Sequence, residues 1–349
     1  MKKIFLFYIF IAFLGSCSSE DTKPFSLDLH NGFFVTNEGP FQNGSGTITF
    51  ISSNDEVTQE VFYKVNHKYL GNIVQSMTLY QDRAFIVVNN SHKIEVADRY
   101  SLKELDVIQG DYIQNPRYIK AKGNYAYVSN WGNAQDTSDD FIAVINLEDY
   151  SLVTKILVPE GPEKMLINGD KLYVNLQGGF HFNNKVVVID LNTNQVENTL
   201  VVGDVPVSIE KESNGAIWVL CQGLPNYAPS GETAGKLVKM VNQQIEISMD
   251  FNTITAHPKN LTINNSSLFY TLNNRIFKFN ISDLMLPTTP FNNVEGNFYT
   301  LTAHDNKLYV TDALDFASEG KLEVINIQTN SLEKEFPTGI IPGNIVFQN

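Results

Sequence analysis

An all-β protein, a single ring of seven four-stranded antiparallel blades, is the fold class this sequence predicts. Three observations carry that expectation: a strand motif that recurs seven times, a constant order of strand signals around it, and complementary chain ends. The motif is an aromatic or aliphatic residue, a β-former and then a polar residue. It reads Phe34-Val35-Thr36-Asn37, Ile86-Val87-Val88-Asn89, Tyr127-Val128-Ser129-Asn130, Tyr173-Val174-Asn175, Trp218-Val219-Leu220, Tyr270-Thr271-Leu272-Asn273 and Tyr309-Val310-Thr311-Asp312. Successive copies start 39 to 52 residues apart, which is the period of a β-propeller with four strands per blade.

Each copy repeats the same elements in order. Strand A, the innermost, opens on a Pro-x-x-apolar segment, as in Pro116-Arg117-Tyr118-Ile119, Pro162-Glu163-Lys164-Met165, Pro206-Val207-Ser208-Ile209, Pro258-Lys259-Asn260-Leu261 and Pro342-Gly343-Asn344-Ile345. A polar hairpin turn follows, such as Asn168-Gly169-Asp170, and then the motif itself forms strand B. A variable loop leads to strand C, for example Lys185-Val186-Val187-Val188-Ile189-Asp190. A short turn carrying Asn and Thr (Asn192-Thr193-Asn194) precedes strand D, which ends near a glycine such as Gly203 or Gly339. The first copy begins at strand B, Gly32 to Asn37, and lacks a strand A, whereas Pro342 to Phe347 reads as a strand A with nothing after it. Pairing the two closes the ring and removes two open sheet edges. Residues 31–349 are therefore expected to form one propeller domain.

Composition narrows the function classes. Hydrophobic residues make up 43% and charged residues only 18%, which suits a packed chain rather than a disordered one. The 38 acids exceed the 25 Lys and Arg, and no basic run occurs in the body of the chain, which excludes a nucleic-acid groove. Cys221, embedded in Ile217-Trp218-Val219-Leu220, reads as a buried apolar thiol without a basic neighbour to stabilise a thiolate.

At the N-terminus, Lys2 and Lys3 precede an apolar run over residues 4–14 and then Gly15-Ser16-Cys17. This reads as a secretory signal over residues 1–16, too short to span the ~30 Å hydrocarbon core of a bilayer. Leu14-Gly15-Ser16-Cys17 resembles the bacterial lipobox, which implies lipidation of Cys17 and a lipidated tether over residues 17–30. Ser18-Ser19-Glu20-Asp21 is similar to the acidic tether of Bacteroidota-type lipoproteins. The resulting expectation is an outer-membrane lipoprotein held through its lipid and exposed at the cell surface.

The Tyr-Val-Thr/Ser-Asn motif, the Val-x-Val-Ile-Asp strand and the Gly-x-x-Pro-x-x-apolar segment resemble the repeat of YVTN/YncE-like seven-bladed propellers. Blades 5 and 6, with Val219-Leu220-Cys221 and Thr271-Leu272-Asn273, depart most from it. A lipobox joined to this repeat is similar to a group of surface lipoproteins that includes BtuG-type cobalamin binders. The resemblance implies a ligand-binding lipoprotein without catalysis or a resident cofactor. It also implies cobalamin (vitamin B12) or a similar small-molecule nutrient as ligand, with a TonB-dependent outer-membrane transporter as partner. Two alternatives stand beside it: a protein-binding adhesin or assembly scaffold, and a propeller lactonase or hydrolase.

In this strand order the B–C and D–A loops emerge on one face, around the central channel, and the B–C loops vary most between copies. They carry Phe41, Trp131, Phe180, His181, Phe182, Tyr227 and Phe316 amid Gly, Asn and Gln. Aromatics in such settings give flat contact area at small entropic cost. Phe180-His181-Phe182 and Trp131 stand out because Gly178-Gly179 and Gly132 free the backbone to present them. The start of each strand A should ring the channel mouth with Tyr112, Arg117, Tyr118, Lys164, Ser208, Lys259, Asn260, Tyr299 and Asn344. Arg117, Lys164 and Lys259 would converge there on a phosphate, a carboxylate or a partner's acidic loop, unless neighbours such as Glu163 or Asp204 pair with them.

Enzyme signals are weak. The six histidines show no metal-ligand spacing, although His92, His181 and His257 share the loop face. Asp136, Asp139 and Asp140 resemble a calcium-loop fragment without its Gly and Glu. No Gly-x-Ser-x-Gly elbow, phosphate-binding Gly-Lys loop or His-Glu-x-x-His occurs. The expected mouth residues are mostly cationic or neutral, which does not suit acid–base catalysis.

Overall fold

The structure, a computed structural model, describes residues 27–348 apart from 42, 43 and 134. The expected signal, Cys17 and the tether up to residue 26 lie outside the described residues. Seven antiparallel sheets form the seven blades, six of them four-stranded in the order A-B-C-D. In the first blade the sheet order is Pro342–Phe347, Gly32–Asn37, Thr47–Ser52 and Val57–Thr58. The last strand thus closes the ring, with Phe33 opposite Phe347 and Val35 opposite Ile345. Both strands have the bounds expected from the sequence.

The sixth sheet has three strands, Lys259–Asn264, Ser267–Leu272 and Arg275–Asn280. Residues 281–297 take the outer place as irregular chain: Phe291 N donates to Ile276 O at 2.6 Å and Gly296 N to Asn274 O at 3.2 Å. Pro287 and Pro290 lie in that segment and have no N–H to give a ladder. In blade 2 the register sets Met77 opposite Ile86, as Ile119 stands opposite Val128 in blade 3. The motif there begins at Phe85, one residue before the frame expected; an unbroken apolar run, Phe85 to Val88, carries no polar residue to mark it.

Strand B is buried on both faces in most blades, and the core lies between neighbouring sheets rather than within one. Tyr127, Ile142 and Val144 of blade 3 pack on Met165, Val174 and Val187 of blade 4. Trp218 and Leu220 of blade 5 pack in the same way on Tyr270 and Phe279 of blade 6. Strands buried on both faces need little charge, which accounts for the low charged fraction.

All seven A–B pairings break register near the loop end of strand A. Such a bulge leaves an inner-strand N–H without its ladder partner. In three blades the hydroxyl of the motif supplies one. Ser129 Oγ accepts from Tyr118 N at 3.0 Å, Thr36 Oγ1 from Asn344 N at 2.9 Å and Thr311 Oγ1 from Thr300 N at 3.1 Å. The same hydroxyls reach the next blade: Ser129 Oγ donates to Glu163 O at 3.2 Å, and Thr311 Oγ1 to Pro342 O at 2.7 Å. Ser129→Ala should therefore leave a buried N–H unpaired and cut an inter-blade tie. Urea unfolding should show a loss of ~1–3 kcal/mol, against less than about 0.5 kcal/mol for the exposed Ser230→Ala.

Candidate functional site

The loop face is held together by one repeated hydrogen bond. The first residue after strand B donates its N–H to the carbonyl of the residue before strand A of the same blade. The pairs are Glu38 to Ile341, Asn89 to Ile73, Trp131 to Asn115, Gln177 to Gly161, Gln222 to Val205 and Ala313 to Asn297, at 2.8–3.2 Å. Five of the acceptors have left-handed backbones, with φ of 53° at Ile341, 61° at Ile73, 47° at Asn115, 80° at Gly161 and 55° at Val205. For β-branched Ile and Val this conformation is costly. The cost fastens the D–A and B–C connections into one surface.

On that surface the loops of blades 4 and 5 bring aromatics together. Phe180 and Tyr227 are 72% and 78% exposed, and the Phe182 and Tyr227 rings lie 6.2 Å apart. Phe180, His181 and Phe182 line a depression of about 540 Å³ with Asn183, Asp204 and Pro229. A second hollow of about 190 Å³ joins His181 and Phe182 to Tyr227. Gly178 has φ 88°, and a Cβ there would lie 2.2 Å from His181 O, so the loop needs glycine at this position. Glu160 steadies the turn, with Oε1 3.1 Å from His181 Nδ1.

Trp131 is half-buried beside this shelf. The Arg117 guanidinium lies 4.3 Å from its ring centre, and a Cβ on Gly179 would lie 3.9 Å from its Cε3. Its indole Nε1 has no partner among the described residues. Phe41 is exposed on the blade 1 loop and lines neither hollow. Phe316 meets the edge of Tyr299 at 6.2 Å, next to the channel.

The channel departs from the expected mouth. Tyr118, Lys164, Tyr299 and Asn344 line an axial cavity of about 310 Å³, together with Glu38, Gln75, Lys120 and Glu210. The three expected cations do not converge. Arg117 Nε lies 2.6 Å from Glu163 Oε1, with the two side chains 16% and 5% exposed, so this guanidinium is already committed. Lys259 is exposed and does not line the cavity. Asn344 is a stitch between blades, its Oδ1 accepting from Met77 N at 3.0 Å. Ser208 and Asn260 are buried, the latter bonded to Thr271 Oγ1 and Phe298 O. Tyr112 packs outward with the blade 2–3 core and donates to Tyr150 O.

Sequence reasoning missed Glu38, Lys120 and Glu210. Lys120 and Glu210 each stand four residues after a strand-opening proline, Pro116 and Pro206, beyond the first turn of strand A. Following the inner strand to its fifth residue would have found both. Burial pushes the Glu210 carboxyl up to about 7, against the pull of Lys164 and Lys120. It pushes both ammoniums down, against the opposing charge of Glu210. Glu38 is raised by burial although it accepts a 2.7 Å bond from Tyr299 OH.

The remaining candidates have local roles. His92 Nδ1 accepts from Asn115 N, and His257 sits between Gln222 O and Glu232, so the three loop histidines serve separate contacts. No group of three or more His, Cys, Asp or Glu among the described residues is arranged to hold a metal ion. Asp139 and Asp140 accept from Asn133 N and Gly161 N, and burial pushes Asp140 up to about 7. Cys221 is buried, which raises its thiol.

A family model described as "Domain of unknown function (DUF5074)" matches residues 31–284. The chain belongs to the DUF5074 family. The match runs from the first strand of this DUF5074 propeller to the outer segment of blade 6. No curated protein matches the chain. Among solved structures, it resembles a hypothetical selenium-binding protein from Sulfolobus tokodaii at 11% identity and TM-score 0.67, covering 92% of this chain and 94% of that one. It also resembles BamB from Moraxella catarrhalis at 11% identity and TM-score 0.57, covering 93% and 88%. Kuenenia stuttgartiensis hydrazine synthase is similar at 14% identity and TM-score 0.57, covering 75% and 85%. At such identities the likeness is one of fold, and this fold hosts unrelated activities.

The Arg117–Glu163 pair yields a stability test. Glu163→Ala strands a buried guanidinium and should cost ~3–5 kcal/mol in urea unfolding, whereas replacing both partners with Met and Leu should cost much less.

Proposed function

We propose that this DUF5074 propeller is a lipid-anchored surface protein that captures a ligand on its loop face and does no chemistry on it. The observation that carries the reading is the shelf of exposed Phe180 and Tyr227 with half-buried Phe182 beside Tyr227, on loops that the repeated backbone bond holds in place. Rigid aromatics flanked by Asn183, Asn184 and Asp204 combine stacking area with directional polar groups.

The resemblance of the lipobox and repeat to BtuG-type lipoproteins supports cobalamin as ligand and a TonB-dependent transporter as recipient. A flat macrocycle fringed with amides suits an aromatic shelf edged by asparagines, and is too broad for the axial cavity. Cyanocobalamin should bind at micromolar concentration or below in equilibrium titrations, weakened about tenfold by Phe182→Ala or Tyr227→Ala. Absence of binding at micromolar ligand would remove the cobalamin assignment. Replacing Cys17 by Ser should move the protein from the membrane to the soluble fraction on cell fractionation; continued membrane retention would refute the lipid anchor.

A protein partner is the second reading. Leu284 and Met285, 91% and 82% exposed on the outer segment of blade 6, favour it. It expects a cross-linked envelope protein whose capture is lost on changing both residues to Asp.

A further inference from the structure

The aromatic shelf carries one polar atom that stacking alone leaves without a role. The loop histidines His92, His181 and His257 use their ring nitrogens differently. His92 Nδ1 accepts from Asn115 N at 2.9 Å, which puts the proton of the neutral ring on Nε2 and leaves no lone pair pointing outward. His257 faces oxygens with both nitrogens, Gln222 O at 3.1 Å and Glu232 Oε1 at 3.0 Å. His181 faces one with Nδ1 alone, Glu160 Oε1 at 3.1 Å. A carboxylate oxygen only accepts, so the proton of the neutral His181 ring sits on Nδ1 and the free lone pair on Nε2. Among the described residues that Nε2 has no hydrogen-bond partner, and the side chain is 67% exposed.

Glu160 fixes this arrangement. The same Oε1 accepts from Gly179 N at 3.3 Å and from His181 N at 3.4 Å, while Asn183 Nδ2 donates to Glu160 O at 2.9 Å. A carboxylate behind Nδ1 is the common support of a histidine that ligates metal through its other nitrogen: it sets the tautomer, orients the ring and raises its basicity. His181 lines both hollows of the shelf, beside Phe182.

One nitrogen does not hold a bare ion, and no group of three or more His, Cys, Asp or Glu among the described residues is arranged to do so. A metal held here has to bring its other ligands with it. A macrocycle supplies them in its own plane, and its flat face suits the exposed rings of Phe180 and Tyr227. We infer that His181 Nε2 is an axial ligand for the metal centre of a flat macrocycle, a cobalt corrinoid or an iron porphyrin, docked on the shelf. The inference rests on the shelf reading above and names the chemical class that the shelf takes. The step is a redox-neutral exchange: the bond from the metal to its axial water breaks, the Nε2 lone pair forms the new bond, and water leaves.

The test follows affinity and absorption bands together while the full chain is titrated with aquocobalamin, cyanocobalamin or iron(III) protoporphyrin. Aquocobalamin has an exchangeable axial water, whereas cyanocobalamin has both axial positions filled and should bind without a band shift. Aquocobalamin or iron(III) protoporphyrin should bind with a shift, and the one that does so names the metal. His181→Ala should abolish the shift, with the melting midpoint confirming the fold. Glu160→Gln should weaken the coordinated form about tenfold. If both corrinoids bind and neither they nor the porphyrin show a shift, the shelf reading survives and the axial ligand is overturned. If neither corrinoid binds but the porphyrin shifts in a His181-dependent way, the cobalamin assignment falls and the axial ligand stands. A shift that persists in His181→Ala, or no shift with either metal macrocycle, overturns the inference.

Discussion

Seven inner strands converge on one axis, and each leaves its partner's register at the end where the loops emerge. The break creates an N–H that the ladder cannot satisfy, and a buried unsatisfied N–H is expensive. The hydroxyls of Ser129, Thr36 and Thr311 answer that need, and two of them reach into the adjoining blade. In these three blades one hydroxyl repairs its own sheet, and in two of them it also holds the neighbouring one. Breaking the register also re-aims the side chains of strand A. Adjacent residues such as Gly343 and Asn344, or Ile209 and Glu210, can then both line the axis.

The fold was legible because propeller repeats write their register into polar residues. Thr36, Ser129 and Thr311 mark strand B because a hydroxyl is needed there, and prolines mark the start of strand A. Where those marks are missing, reading the sequence slips. Phe85 to Val88 has no hydroxyl to set its frame, and the motif was displaced by one residue. Pro287 and Pro290 replace a strand that the repeat alone would have supplied. The bounds of the closing strands were legible because Phe33 and Phe347 both lie in short runs bordered by Gly or Pro.

The candidate site was legible only in part, for a geometric reason. The shelf residues Phe180, His181, Phe182 and Tyr227 belong to two loops, and the strand order already puts those loops on one face. The channel is built from single residues of several inner strands, so its charge balance depends on depth along the axis. Arg117 and Glu163 share the second place of their strands and neutralise each other. Lys120 and Glu210 lie deeper, where no loop signal points. Lys120 and Lys164 meet Glu38 and Glu210 at the axis, a local balance that the net charge of −13 for the whole chain conceals.

The strand that closes the ring also governs the order in which the protein can be made. Asn344 N bonds to Thr36 Oγ1 across 308 residues of sequence, and Gln348 meets Arg99 across 249. Contacts this distant in sequence slow folding, because chain entropy must be surrendered before they form. Blades 2 to 5 can assemble while later residues are still being added, but the first blade waits without its inner strand until Pro342 to Phe347 arrive. A nascent chain would hold an open arc with two bare edges, which are sites for misassembly. Its stability as a finished ring and its vulnerability as an unfinished one have the same source.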